Sequence, residues 1–110
     1  SGKLGNNLYT IFENHKKNTF YYSIDRGITW KRLKLDEFEL TAELDVSGKK
    51  GAIYVVAENN NGQFVILQSE DLENWSQLGD QAFDSVSDIQ STRDYLYVVT
   101  AESNVYRIRI

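Results

Sequence analysis

Apolar residues in this chain come in short runs separated by polar turns. The first run is Leu8, Tyr9, Thr10, Ile11 and Phe12. A run this short, apolar or β-branched throughout, predicts a strand covered on both faces. Thr19, Phe20, Tyr21, Tyr22 and Ser23 form a second strand, and Trp30, Lys31, Arg32 and Leu33 a short third. The pattern then recurs. Ile53 to Ala57 echoes the first run and Phe64 to Ser69 the second, and a third echo runs from Leu96 to Thr100 and from Val105 to Ile108. The first two offsets, 45 residues from Leu8 to Ile53 and 43 from Ile53 to Leu96, give a repeat of about 44 residues.

The linking segments repeat as well. Leu33, Phe38, Glu43 and Leu44 stand at the same distances from Trp30 as Leu78, Phe83, Asp88 and Ile89 from Trp75. Taken alone, residues 31–45 match an amphipathic helix through Leu35, Phe38 and Ala42. The alternation of Leu40, Ala42 and Leu44, and the poor helix formers between Ser85 and Gln90, predict strands at 40–46 and 85–91 instead. About ten strands follow, in one domain with repeat units over 8–39, 40–84 and 85–110.

Between the second and third strands lies Ser23-Ile24-Asp25-Arg26-Gly27-Ile28-Thr29-Trp30. Asp25 can fold its carboxylate onto nearby N–H groups, and Gly27 can take the positive φ of a tight turn. Ser23 and Thr29 can satisfy loose backbone groups, and Trp30 offers the largest apolar anchor. A degenerate copy follows, in which Ser69, Asp71 and Trp75 remain and one residue is missing. Glu73 or Asn74 takes the place of the glycine and threonine there, and Asn74 is suited to left-handed geometry. At the third repeat Ile108 and Ile110 occupy the Ser and Asp places.

Ser23, Asp25, Gly27, Thr29 and Trp30 match all five defining positions of the Asp-box, or BNR repeat, and the octet resembles that of sialidases, sortilin-type receptors and other β-propellers. The resemblance implies an all-β fold of antiparallel four-stranded propeller blades, with the box as a structural corner away from any active site. It also implies a secreted or extracytoplasmic setting. A closed propeller takes roughly four or more blades of this length. The chain holds about two and a half, so its blade faces need covering by copies of itself or by neighbouring blades of a larger protein. The absent initiator Met and the leading Ser1-Gly2 suggest a processing scar on a longer protein.

Net charge is −4, from 16 acidic and 12 basic side chains, which argues against nucleic acid as partner. No apolar run is long enough for a membrane helix. Without cysteine there is neither a disulfide framework nor a thiolate metal site.

No catalytic set emerges. Sialidases resemble one another in using an arginine triad and a Tyr–Glu pair, but no motif maps these onto Arg26, Arg32, Arg93, Arg107 or Arg109. Arg107 and Arg109 fall on one strand face, as at a solvated edge. Asp36, Glu37 and Glu39, with Asp80, Asp84 and Asp88, lack the ligand spacing of a calcium loop, and solvated acids are the simpler account. His15 is the only histidine, and it lies near Lys16 and Lys17, with Lys49 and Lys50 in the equivalent loop. Solvated turns explain all five. Tyr9, Tyr54 and Tyr97 share one repeat position, where inter-blade packing is favoured over a sugar-stacking surface.

The expectation is a non-catalytic propeller segment, a binding or scaffold module that self-assembles, needs no cofactor and takes a carbohydrate or protein ligand. The alternatives are a fragment of a sialidase-like glycoside hydrolase with its catalytic residues outside this chain, and a truncated or designed propeller with no selected ligand.

Overall fold

The computed structural model of the chain describes residues 1–13, 18–47 and 49–110. Asn14, His15, Lys16 and Lys17 lie outside the described residues, and so do the expectations placed on them. The described residues are all-β, in three antiparallel sheets. Strands β1 (Gly2–Leu4), β2 (Asn7–Glu13), β3 (Asn18–Ser23) and β4 (Lys31–Arg32) pair in chain order as the first sheet. The second has β5 (Phe38–Ser47), β6 (Ala52–Asn59), β7 (Phe64–Ser69) and β8 (Ser76–Gln77), again in order. The third has only β9 (Asp88–Ser91), β10 (Tyr95–Val99) and β11 (Val105–Arg109).

The second sheet lies between the other two. Residues 52–57 of β6 are all buried, so both faces of this strand are covered. Register sorts them by parity. Ile53 and Val55 pack with Tyr9, Phe20 and Tyr22 of the first sheet. Tyr54, Val56 and Ile66 pack with Ile89, Leu96 and Val98 of the third. An uninterrupted apolar run is what a strand between two layers requires. Asp45 fastens the second sheet to the third, accepting bonds from the Ser91 N–H at 2.5 Å and its hydroxyl at 2.6 Å.

The segment with helical spacing is extended. β5 covers the 40–46 strand, with an irregularity between Leu40 and Leu44. There the Thr41 hydroxyl donates to the Val56 carbonyl at 2.9 Å and accepts from the Glu43 N–H at 3.1 Å. These bonds occupy groups freed by the slipped ladder.

Three expectations need correction. Gly2–Leu4 is a strand that the apolar pattern did not mark, because three residues show no period. The strand expected at 85–91 begins at Asp88, although Ser87 already donates to the Val99 carbonyl at 2.8 Å. The run at 8–12 is covered on one face only: Tyr9 is buried and Ile11 packs inward, whereas Phe12 is 60% exposed. On that open face Phe12 lies opposite Thr19 and meets Tyr21 edge-on at 5.6 Å.

Deleting the Ile66 side chain between the second and third sheets, as Ile66→Ala, should destabilise the fold by about 2–5 kcal/mol. Phe12→Ala, on the open face, should change stability by about 0.5 kcal/mol or less. Urea denaturation followed by tryptophan fluorescence measures both, and equal losses would contradict this layer assignment.

Candidate functional site

The two polar turns sit at corresponding corners, between β3 and β4 and between β7 and β8. In the first, the Ser23 hydroxyl donates to Asp25 Oδ1 at 2.8 Å and accepts from the Gly27 N–H at 2.8 Å. The Thr29 N–H donates to Asp25 Oδ1 at 2.8 Å, and its hydroxyl donates to Asp25 Oδ2. The Trp30 indole N–H closes the loop on the Gly27 carbonyl at 3.0 Å. Gly27 has φ +88°, the left-handed value its residue type predicts. A side chain there would also press on Leu8, since a Cβ would come within 3.3 Å of Leu8 Cδ1.

The shortened turn reproduces this network with different residues. Ser69 accepts from the Leu72 N–H at 2.8 Å, and Trp75 donates its indole N–H to the Leu72 carbonyl at 2.8 Å. Leu72 therefore stands where Gly27 does, and its φ is +71°. Asn74 takes the place of Thr29: its N–H donates to Asp71 Oδ1 at 2.8 Å and its side-chain amide to Asp71 Oδ2 at 2.7 Å. The expected glycine substitute, Glu73 or Asn74, is thus corrected to Leu72. A left-handed leucine costs about 1–2 kcal/mol. Full burial of its side chain between the first two sheets contributes about 1.5–3 kcal/mol and offsets that cost.

The tryptophans differ in the same way as the sheets that carry them. Trp75 packs edge-on against Phe20 of the first sheet, with ring centroids 5.7 Å apart. Trp30, expected as a buried anchor, is 44% exposed. Among the described residues its sheet has no neighbour on that side, so the indole holds its turn by hydrogen bonding with only partial cover.

Chemically both carboxylates are spent. The Thr29 hydroxyl and N–H, then Ser23, hold Asp25 down to about 2, and Asn74 lowers Asp71 in the same way. An acid ionised this firmly, with both oxygens occupied, makes a poor general acid, base or nucleophile near neutral pH. Among the described residues, no three acids or histidines converge as metal ligands. Asp36, Glu37 and Glu39 border a shallow cleft with Glu58, while Asp80, Asp84 and Asp88 are exposed on and after the link that follows β8. Lys49 and Lys50 are exposed on a turn.

The shared tyrosine position divides. Tyr9 and Tyr54 are buried between sheets, and burial, with Asp45 nearby, raises both phenols. Tyr97 pairs with Arg107 on the outer face of the third sheet, beside Tyr95 and Arg109. The Arg107 guanidinium lies 4.4 Å from the centre of the Tyr95 ring, and that of Arg109 lies 5.9 Å from it. This aromatic and cationic face is visible only once register is known, although the two-residue spacing of the arginines is its sequence trace. The outer face of the first sheet holds Lys3, Leu8, Tyr21 and Arg32 by the same register argument.

Two outcomes follow. Because Asp25 lies below its ordinary 3.8, its bonds favour the fold above that value and are lost as pH falls toward 2. The melting-temperature gap between wild type and Asp25→Ala should hold steady from pH 7 to 5 and close toward pH 2, and a gap that widens on acidification would refute this. Leu72→Gly relieves the left-handed strain but empties the interface, so it should lower stability by about 1–3 kcal/mol in urea denaturation. No protein-family model, curated protein or solved structure matches this chain, and its functional reading rests on the chemistry of its own residues.

Proposed function

We propose that this chain is a non-catalytic segment of an Asp-box β-propeller, a binding or scaffold module whose two terminal sheets are completed by further sheets. One observation carries the reading: the residues that make the inner interfaces recur on the open ends. Tyr9 and Ile11 face the second sheet, and Tyr54 and Val56 face the third. Tyr97 and Val99, at the same register positions, face away from the second sheet and are half-buried, with no further sheet against them among the described residues. On the receiving side, Leu8 corresponds to the buried Ile53 and Leu96. Half of one more interface is therefore present at each end.

Surface area supports this. A compact monomer of 12.7 kDa exposes about 6,200 Å², and this chain exposes 6963 Å². The two fully formed turns, with their carboxylates saturated, suit a structural rather than a chemical role. A second copy, joined head to tail, fits the open ends in shape and polarity of the repeat. Its cost is electrostatic, because Lys3 and Arg32 at one end would meet Arg107 and Arg109 at the other.

Light scattering behind a sizing column should therefore show association that grows with salt, as screening removes the like-charge repulsion. Fluorogenic sialosides should not be turned over. A monomer at every salt concentration would refute self-completion, and turnover would refute the non-catalytic reading.

A further inference from the structure

The two internal interfaces use the same strand positions but not the same residues. At the hairpin end of the first interface Ala57, Val65 and Leu67 of the second sheet are buried, with Leu40 packed against them. Register gives each a counterpart in the third sheet. Leu67 lies opposite Val55 as Tyr106 lies opposite Val98, and Val65 lies opposite Ala57 as Asn104 bonds to Thr100. Ser85 stands as far from Trp75 as Leu40 does from Trp30. All four apolar places of the first interface are therefore polar in the second, as Ser85, Thr100, Asn104 and Tyr106. Both interfaces lie between sheets of this chain, so no open edge or terminal face enters the comparison.

At these places the second interface holds a cavity of about 290 Å³, set between the tips of the β6–β7 and β10–β11 hairpins and the 81–85 link. Phe83 is its buried floor, and the Tyr106 ring leans on it with centroids 5.3 Å apart. Backbone bonds fix the walls. Phe64 and Phe83 exchange N–H bonds at 2.7 and 2.8 Å. Ser85 Oγ accepts from the Ala101 N–H at 3.1 Å, and Thr100 Oγ1 accepts from the Asn104 N–H at 3.2 Å. Each hydroxyl is thereby positioned and keeps its own proton to donate. The amides of Gln63 and Gln81 and the carboxylates of Asp84 and Glu102 stand around them, and no lysine or arginine lines the cavity among the described residues.

We propose that this cavity is a binding site for a neutral sugar. Amides and hydroxyls both donate and accept, as each sugar hydroxyl does, and the Tyr106 ring offers an apolar surface to the C–H face of a pyranose. The volume is close to the roughly 300 Å³ at which small-molecule pockets begin, so a single ring is the unit recognised. Charge narrows the class. Asp84 and Glu102 repel a carboxylate or sulfate with no cation in the lining to offset them, so anionic sugars, sialosides included, are disfavoured. A protonated amine would need carboxylates to dominate, whereas six of the eight polar lining side chains are amides or hydroxyls. This inference rests on the reading of the chain as a non-catalytic binding module and supplies the class of its ligand.

The test is a nuclear magnetic resonance titration of the full chain with the methyl glycosides of glucose, galactose, mannose and N-acetylglucosamine, and with sialyllactose, protonated glucosamine and lactose for comparison. At least one neutral glycoside should shift the amides of residues 81–85 and 100–106 and bind about tenfold tighter than sialyllactose. Glucosamine should bind no tighter than the neutral glycosides. Thr100→Ala with Asn104→Val installs the residues of the first interface, so it should keep the melting temperature and bind about tenfold more weakly, through one or two lost hydrogen bonds. Glu102→Lys, at the exposed rim, should narrow the gap to sialyllactose, a change of preference that a loss of folding would not produce. No shift with any neutral glycoside, tighter binding of sialyllactose or glucosamine, unchanged affinity in the folded double variant, or a gap that Glu102→Lys leaves intact would overturn the proposal. Failure of every sugar in a chain that still associates with salt would overturn only this site. Cleavage of lactose by a chain that binds the methyl glycosides would leave the site standing and overturn the non-catalytic reading.

Discussion

The structure depends on covering β6 on both faces at once. Six successive buried positions leave this strand no side that water can approach. One additional layer would cover only half of it, so the first and third sheets are both required. That requirement explains why odd residues of β6 bind one neighbour and even residues the other. It also explains why Asp45 reaches across to Ser91 rather than to solvent. A domain of this size has little core to spare, and most of its largest buried side chains lie on β6 or against it.

The polar corners serve this layering. A hairpin that returns a two-residue strand has few ladder bonds to hold it, and the Ser–Asp network supplies more. The network tolerates changes in chemistry as long as its donors survive. Asn74 replaces a hydroxyl with an amide, and Leu72 replaces a glycine at positive φ because an interface is there to receive it. At the first corner the corresponding space belongs to Leu8, and glycine is retained. Whether a left-handed leucine is a liability or an anchor is decided by the neighbouring sheet.

Strand positions, the repeat and the composition of the first corner were legible in the sequence because each is local. Tyr9, Tyr54 and Tyr97 at one repeat position implied packing between sheets; Tyr9 and Tyr54 are buried so, whereas Tyr97 lies on the outer face of the third sheet. What could not be read depended on neighbours. Trp30 and Trp75 have the same local context, yet only Trp75 has a sheet to lean on. The role of Leu72 was hidden because a missing residue leaves two alignments of the turn, and only the hydrogen bonds choose between them. Gly2–Leu4 carries no period and is a strand only because β2 offers an edge.

The open ends show how far stacking explains such a chain. If apolar cover were the only demand, both terminal faces would be as apolar as the inner ones. Instead Lys3 and Arg32 mark one end and Arg107 and Arg109 the other, in a protein whose net charge is −4. The outer face of the third sheet also carries Asp88, opposite Val99, so its charge is mixed, whereas Lys3 and Arg32 make the outer face of the first basic. Charge on the outer faces distinguishes them where apolar burial alone does not distinguish one sheet from the next.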